Sequence, residues 1–146
     1  MRYKSSRIMM FVLIGVLFLS VSSVYAETAE EYWNSGNTCY KQGNLSQAIS
    51  DFTKVIEINP NYAEAYNNRG LAYYIQGNLP QAILDFTKAI EINPNFAGAY
   101  NNRGVAYYAT KEYDKAWKDV HKTEGLGHAV NPKFLNALKK ASGRDK

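Results

Sequence analysis

The sequence is poor in the residues that form disulfide bonds and reactive centres. Among 146 residues it has one cysteine, Cys39, and two histidines, His121 and His128. A single thiol excludes an intramolecular disulfide, so packing has to stabilise the fold, and we expect Cys39 to be a small buried residue. The histidines lack the further ligands that a metal site needs, and no glycine-rich phosphate-binding loop is present. We therefore predict no enzyme activity, no metal and no cofactor.

Net positive charge is also scarce in the part of the chain that follows Ala26. The whole chain carries a net charge of +4, with 17 basic and 13 acidic residues. Three of the basic residues and none of the acids lie in the N-terminal stretch, so residues 27–146 carry a net charge of only +1. That part lacks the basic surplus typical of nucleic-acid-binding domains, and we predict no nucleic-acid partner. The basic residues near the C-terminus are typical of a solvated tail.

The N-terminal stretch, 1–26, has the layout of a secretory leader. A basic start precedes an apolar run over residues 8–21, and small residues lead up to Ala26. This layout predicts cleavage after Ala26 and export to the periplasm or the cell exterior. The apolar run is shorter than the ~20 residues that a membrane-spanning helix needs. The alternative is an uncleaved leader, in which residues 8–24 anchor the protein in the inner membrane and the membrane becomes a partner.

The rest of the chain repeats itself at a fixed interval. Residues 43–70 and 77–104 are identical at 23 of 28 positions. In rows that begin at Ala29, Ala63 and Ala97, small residues, aromatics and a proline recur in the same columns. The recurring residues are Tyr32, Tyr66 and Tyr100; Gly36, Gly70 and Gly104; Ala48, Ala82 and Ala116; Phe52 and Phe86; and Pro60 and Pro94. Such self-similarity indicates a stack of small units, each of which buries its apolar face against the next.

The apolar spacing inside each row predicts two helices joined by a tight turn. Apolar residues recur three, four and seven positions apart, which keeps them on one helical face. Asn61 and Asn78 precede such periods and predict helix N-caps, while the proline near the end of a row stops the second helix. Glycine inside a helix costs about 1 kcal/mol relative to alanine. Its fixed column therefore predicts that the two helices cross closely, with Gly70 against Ala82.

The column pattern closely resembles that of the tetratricopeptide repeat family over residues 29–128. The resemblance implies an all-α fold, an α-solenoid (right-handed superhelix) of three helix-turn-helix repeats plus a C-terminal capping helix. The repeats would occupy residues 29–62, 63–96 and 97–128, after the leader in 1–26 and before a capping helix and basic tail in 129–146. Asn131 and Pro132 predict the start of the capping helix. Its apolar residues Phe134, Leu135 and Leu138 are expected to cover the third pair.

The family resemblance also implies that the first helix of each repeat lines a concave groove. The residues predicted to bind a peptide there are Trp33, Asn37, Tyr40, Asn67, Asn68, Leu71, Tyr74, Asn101, Asn102 and Tyr108. An asparagine amide donates and accepts hydrogen bonds at once and can pair with any peptide backbone, while tyrosine adds flat apolar area. The predicted partner is therefore an extended peptide or a partner protein, and we expect no small-molecule substrate.

Plainer explanations account for the same residues. A solvated helix face, copied in a recent duplication, would also repeat the asparagines, and Tyr74 and Tyr108 could pack between neighbouring helices. Arg69 and Arg103 recur with the aspartates Asp51, Asp85 and Asp119, which predicts a structural contact whose desolvation offsets part of its attraction. A different functional alternative is a self-associating module, a homodimer, because the first helix pair has no polar cap in front of it.

One function found in the family can be tested by residue. Some members hold the C-terminal carboxylate of a chaperone with a clamp of cations and asparagines. Asn37 and Asn68 fall on the two asparagine positions of that clamp. Its cationic positions fall on Trp33, Gly98 and Asn102, none of which is charged. Without cations there is little to hold a carboxylate, so the sequence argues against this clamp.

Overall fold

A computed structural model describes residues 28–144, and every regular element in that part of the chain is an α-helix. Helix α1 covers residues 28–41 of this range. The helices that follow are α2 Leu45–Ile58, α3 Ala63–Ile75, α4 Leu79–Ile92, α5 Ala97–Ala109, α6 Tyr113–Gly125 and α7 Pro132–Ser142. The prediction of an all-α fold is confirmed. The predicted leader and its cleavage site after Ala26 lie outside the described residues.

Each helix packs mainly against the helices that precede and follow it in the chain. Helix α3 packs against α4 and α5 against α6, while α2 with α3 and α4 with α5 join one pair to the next. Helix α3 also touches α5 directly, although α4 lies between them in sequence. Contacts that run mostly between neighbours are typical of a solenoid, in which each pair covers the next. The predicted α-solenoid of paired helices is therefore confirmed.

A bare glycine backbone lets the two helices of a pair approach closely. A Cβ atom built on Gly70 would lie 2.7 Å from Cε1 of Phe86 and 3.3 Å from the carbonyl oxygen of Ala82. Gly36 meets the ring of Phe52 in the same way, at 2.8 Å. The predicted crossing is confirmed, and the structure adds the reason for the aromatic column, because the phenylalanine ring fills the space that a glycine side chain leaves open.

The last helix covers the open face of the third pair. Leu138 of α7 is fully buried and shares an apolar cluster with Trp117 and Val120 of α6, against which Phe134 and Leu135 also pack. The indole nitrogen of Trp117 donates a hydrogen bond to the hydroxyl of Ser142, 3.0 Å away. The side-chain oxygen of Asn131 accepts from the backbone N–H of Lys133, as expected of an N-cap. The predicted capping helix is thus in place, with the predicted apolar contacts.

Two local predictions need correction. The side chain of Asn78 accepts from the N–H of Gln81 and caps α4, as predicted, but Asn61 does not cap α3. The backbone N–H of Asn61 is instead held by the side chain of Asn59 in a turn, and the helix begins only at Ala63. Cys39 is only partly buried, because its column, which holds tyrosine in the later pairs, is half-buried in all three rows.

Candidate functional site

The ten residues predicted to line a groove all lie on the first helices of the three pairs. Trp33, Asn37 and Tyr40 belong to α1; Asn67, Asn68, Leu71 and Tyr74 to α3; and Asn101, Asn102 and Tyr108 to α5. The direct contact of α3 with α5 makes these helices one inner layer of the stack. The structure therefore brings the predicted residues onto adjacent helices.

Four of the asparagines form a continuous hydrogen-bonded chain across this inner layer, which we call the amide ladder. Asn102 Nδ2 donates to Asn67 Oδ1 at 2.9 Å, and Asn67 Nδ2 donates to Asn68 Oδ1 at 3.2 Å. Asn68 Nδ2 then donates to Asn37 Oδ1 at 3.0 Å, and Asn37 Nδ2 to the carbonyl of Trp33 at 2.8 Å. The amide ladder runs in one direction from α5 to α1, so the three helices share one hydrogen-bonded network.

The amide ladder leaves hydrogen-bonding capacity unused. A primary amide has two N–H donors and two acceptor lone pairs on its oxygen. Each ladder asparagine donates one N–H within the protein, and each oxygen accepts at most one bond among the described residues. One N–H and at least one lone pair per amide thus remain for water or for a ligand. This spare capacity recurs from one inner helix to the next.

The asparagines differ in how far they can reach a ligand. Asn67 is only 7% exposed, and both its donating and its accepting side support its neighbours. Asn101 occupies the matching column of α5, is partly exposed, and its amide makes no hydrogen bond with any residue between 28 and 144. Of the predicted amides, Asn101 is therefore the most available and Asn67 the least.

The aromatic residues of the predicted set are partly used in packing. The ring of Trp33 lies 5.6 Å from that of Phe52 and 5.0 Å from that of Tyr62, measured between centroids. Together with Ala29, Glu30 and Asn59, Trp33 and Tyr62 line an open cleft of about 330 Å³ at the front of the first pair. The indole is therefore held in place by its neighbours and still borders open space.

Tyr74, Tyr108 and Leu71 contact neighbouring helices. The ring of Tyr108 lies 6.0 Å from that of Tyr113 and 5.8 Å from that of Phe134. Tyr74 and Leu71 pack against the buried cluster formed by Phe86 and its neighbours. These contacts agree with the packing explanation for both tyrosines. All three side chains, and Tyr40 with them, remain partly exposed.

The recurrent arginines join three helices each. In the second pair, Arg69 Nε and NH2 of α3 donate to Asp85 of α4 at 2.7 and 2.8 Å, and its NH1 donates to the hydroxyl of Thr53 on α2 at 3.0 Å. Burial alone would lower the pKa of Arg69, but the hydrogen bonds and the charge of Asp85 outweigh it and raise that pKa. The predicted Arg–Asp contact is confirmed.

The third pair repeats this arrangement. Arg103 donates to Asp119 from Nε and NH2, both at 2.8 Å, and to the hydroxyl of Thr87 at 3.1 Å. In the first pair, Ser35 stands in the arginine column and donates to Asp51 at 2.6 Å. The sequence pattern predicted the ion pair but not the threonine contact that links successive pairs. Thr53 and Thr87 occupy the same column of successive rows, which is the signal that could have revealed it.

The positions compared above with a carboxylate clamp carry no cation in the structure either. Asn37 and Asn68, at its asparagine positions, hydrogen-bond to each other in the amide ladder.

Between residues 28 and 144, no three or more His, Cys, Asp or Glu side chains are grouped so that they could hold a metal ion. None of the helices described in that range is both long and apolar enough to cross a membrane.

Sequence comparison identifies the repeats directly. A family profile described as TPR repeat matches residues 36–77, and profiles described as tetratricopeptide repeat match residues 63–96 and 86–118. No curated protein sequence matches the chain. The matched segments together run from the first pair into the third.

Solved structures resemble the chain over most of its described length. The TPR2B domain of yeast Sti1, in complex with pHsp70, has 30% identity and a TM-score of 0.73, over 80% of this chain and 98% of that domain. The first TPR of Spaghetti (RPAP3), bound to the HSP90 peptide SRMEEVD, has 29% identity and a TM-score of 0.74, over 80% and 92%. The Arabidopsis OM64 TPR domain has 28% identity and a TM-score of 0.69, over 82% and 94%.

Proposed function

This chain belongs to the tetratricopeptide repeat family, and from that premise we propose that it is an exported, non-enzymatic scaffold that binds an extended peptide on its inner helices. Two of the similar domains were solved in complex, one with pHsp70 and one with an HSP90 peptide, which supports a role in protein interaction. The observation that carries the proposal is the amide ladder. It runs across three helices and keeps donors and acceptors free at regular intervals.

The chemistry of the ladder favours recognition of a peptide backbone. A backbone presents one N–H donor and one C=O acceptor per residue, and a row of fixed amides can satisfy both. Such contacts do not depend on the side chains of the ligand. Trp33 and the exposed edges of Tyr40 and Tyr74 would add apolar contact area with little loss of side-chain entropy. An affinity on the order of micromolar, about 8 kcal/mol, suits such a surface.

The ligand differs in chemistry from the chaperone peptide of one similar domain. The peptide SRMEEVD contains two glutamates and ends in an aspartate. This chain has Trp33, Gly98 and Asn102 at the three positions where a carboxylate clamp carries cations. We therefore propose that the protein binds an internal segment of the peptide, through the peptide backbone, and not its C-terminus. SRMEEVD should bind no better than the same peptide with an amidated C-terminus.

Three tetratricopeptide repeats, in residues 29–62, 63–96 and 97–128, make up the proposed scaffold, and the capping helix in the segment after residue 128 closes its end. The basic and apolar leader in residues 1–26 supports export, with cleavage after Ala26. Edman sequencing of the protein recovered from its host should begin at Glu27. Recovery of an intact Met1 in the membrane fraction would contradict release and support a tethered scaffold instead.

The groove can be tested with a displayed peptide library. A phage library of random dodecapeptides, joined to the coat protein through their C-termini, offers extended chains without a free carboxylate. Peptides selected on the protein are then compared for binding to Asn101→Ala and Leu84→Ala. We expect Asn101→Ala to weaken binding about 5- to 20-fold, the loss of one or two hydrogen bonds.

Leu84 supplies the matched control. It is 61% exposed and lies on an outer helix. An exposed apolar residue of this kind is where a selected peptide would bind if it did not use the inner helices. We expect Leu84→Ala to bind the selected peptides as well as the wild type does. Binding that is lost in Leu84→Ala and kept in Asn101→Ala would move the site to the outer helices and overturn the proposal.

A further inference from the structure

A cleft between the second and third pairs carries positive charge that is not neutralised. It has a volume of about 520 Å³ and lies between α4, α5 and α6. Ile90 and Tyr100 form its apolar wall, and Lys118, His121 and Lys122 project from consecutive turns of α6. None of these residues belongs to the predicted groove. The cleft is open to solvent, and its volume lies in the range of small-molecule sites.

The repeat itself shows that this charge is a departure from the pattern. The matching columns of the second pair have Leu84 and Thr87 where the third pair has Lys118 and His121. Lys88 of the second pair is ion-paired with Glu91 at 3.2 Å, but the glutamate column holds Gly125 in the third pair. Each of the three replacements makes the cleft more basic or less acidic.

The cations of this cleft are free to meet a ligand. Lys118 and Lys122 form no ion pair with any residue in the described range 28–144, and the imidazole of His121 makes no hydrogen bond there. The ammonium of Lys122 instead lies over the ring of Tyr100, 5.8 Å from its centroid. The imidazole of His121 lies against the ring of Trp117, with their centroids 5.7 Å apart, at the edge of the cleft.

Nearby acids are already engaged or face elsewhere. Asp119 lines the cleft but accepts two hydrogen bonds from Arg103. On α4, Glu91 pairs with Lys88 and Asp85 with Arg69. On α6, Asp114 pairs with Arg144. Glu124 occupies the same column of the repeat as Ile90. Because the side chain of Ile90 packs toward the next pair, the same column places Glu124 on the side of α6 that faces α7.

We propose that this cleft is a binding site for a phosphate monoester. Its phosphate, which carries about −1.5 to −2 charges at neutral pH, would lie between the two lysines and His121. Ammonium groups bind phosphate as point charges, and each adds a charge-assisted hydrogen bond. The volume left over, walled by Ile90 and Tyr100, would hold the organic group of the ester. The peptide groove plays no part in this inference.

Titration of the ¹⁵N-labelled full-length protein with phenyl phosphate tests the assignment. At constant ionic strength we expect saturable shifts of the backbone amides of Tyr100, Lys118, His121 and Lys122, with a Kd on the order of 1 mM. Inorganic phosphate should bind the same residues several-fold more weakly, because it has no group to pack on Tyr100. Equal affinity for both would overturn the assignment to an ester.

Variants that exchange the patterns of the two pairs sharpen the test. The double variant Lys118→Leu/Gly125→Glu reverts two of the three replacements and keeps His121, and we expect it to bind phenyl phosphate at least 10-fold more weakly. The reciprocal variant Leu84→Lys/Glu91→Gly should gain a second set of shifts on α4. Lys140→Leu, an exposed lysine of α7, should bind like the wild type.

The reciprocal variant keeps the proposal testable even if the first variant does not fold. Leu84, Lys88 and Glu91 are all exposed on α4, so a new site can form there without loss of packing. Unchanged affinity in folded Lys118→Leu/Gly125→Glu would overturn the proposal. The absence of any new shift on α4 in the reciprocal variant would overturn it as well, as would equal weakening by Lys140→Leu.

Discussion

At the scale of single residues, asparagine has two distinct roles on the inner helices. Asn67 is buried and holds the amide ladder together, accepting from Asn102 and donating to Asn68. Asn101 lies in the same column one period later, and its side-chain amide makes no hydrogen bond within residues 28–144. Identical residues in identical columns thus divide into a structural role and an available one. The next pair decides the role, because Asn102 meets Asn67 from α5.

The first prediction separates these two roles. Asn67→Ala should destabilise the protein by about 1–3 kcal/mol, because it removes the acceptor of Asn102 and the donor to Asn68. Asn101→Ala should leave the free energy of unfolding within about 0.5 kcal/mol of the wild type. Urea unfolding followed by circular dichroism measures both values. Equal stabilities for the two variants would mean that the ladder bonds contribute nothing net.

The second prediction concerns the closeness of the helix crossings. Gly70→Ala should destabilise the protein by about 1–3 kcal/mol, because its Cβ would lie 2.7 Å from the ring of Phe86. Gly104→Ala is the matched control. Its nearest neighbour is the Cβ of Asp119 at 3.3 Å, and Val120 replaces the phenylalanine in its pair.

The gain in helix propensity, about 1 kcal/mol for alanine over glycine, should offset most of this smaller clash in Gly104→Ala. We expect its midpoint of thermal unfolding to stay near that of the wild type, with that of Gly70→Ala clearly lower. The reverse order would show that the phenylalanine ring is not what requires the glycine.

At the scale of helices, each recurrent arginine joins the two helices of its own pair through a buried ion pair and reaches the preceding pair through a threonine. Arg69 ties α3 to α4 through Asp85 and to α2 through Thr53, and its side chain and that of Asp85 are only 14% and 4% exposed. Such a pair adds little net stability compared with apolar packing, but loss of one partner leaves the other charge buried alone. The arrangement therefore fixes the register between helices more than it strengthens them.

The third prediction tests this view with a double-mutant cycle. Arg69→Met should destabilise the protein by about 3–5 kcal/mol, because it leaves the Asp85 carboxylate buried without a partner. Adding Asp85→Leu should recover a large part of that loss. Chemical unfolding of the wild type, both single variants and the double variant gives the coupling energy. A double variant as unstable as the sum of the singles would contradict a coupled pair.

The fourth prediction concerns the start of α6. Hydrogen bonds from Lys115 and then from the hydroxyl of Thr110 lower the pKa of Glu112 below its usual 4.5. The ionised carboxylate is thus favoured in the folded state, so its contribution to stability is present above pH 4.5 and is lost as the pH falls through the lowered pKa. Glu112 is partly solvated, so the contribution is small.

Thermal unfolding of Glu112→Gln and the wild type between pH 7 and pH 2 checks the sign. The variant should melt at a lower temperature at pH 7, and the difference should vanish at the acid end. A difference that grows as the pH falls would contradict the lowered pKa. Glu91→Gln is the control, because Glu91 forms an ion pair with a lysine three residues away but does not lie at the start of a helix. It shows how much of the change in melting temperature any such ion pair produces.

At the scale of the whole molecule, the repeat period predicts the helix pairs and their order, while Asn131, Pro132 and the apolar residues that follow them predict the capping helix. Those features follow from local patterns, such as glycine in a fixed column against alanine and proline after the second helix, which a single sequence contains. Asn61 shows the limit of such patterns. Its spacing fits an N-cap, but its backbone N–H donates to the side chain of Asn59 in a turn that precedes the helix. Which of the two nearby asparagines forms the side-chain bond is decided by geometry.

The functional surface was less predictable than the fold. The columns placed ten residues on the inner helices, but they did not distinguish Asn67 from Asn101, whose difference arises from contacts between pairs. The basic cleft was missed altogether. Lys118, His121 and Gly125 are ordinary residues one at a time, and only comparison with Leu84, Thr87 and Glu91 in the folded second pair shows that they change one cleft together.

The most direct test of the central claim is a map of backbone amide shifts when a selected dodecapeptide binds the ¹⁵N-labelled protein. A ligand on the inner helices should shift the amides of Asn37, Asn68 and Asn101 most, with smaller changes along α1, α3 and α5. We expect little change on the exposed faces of α2, α4 and α6. Shifts concentrated on those outer faces, with α1, α3 and α5 unchanged, would contradict a peptide-binding role for the amide ladder.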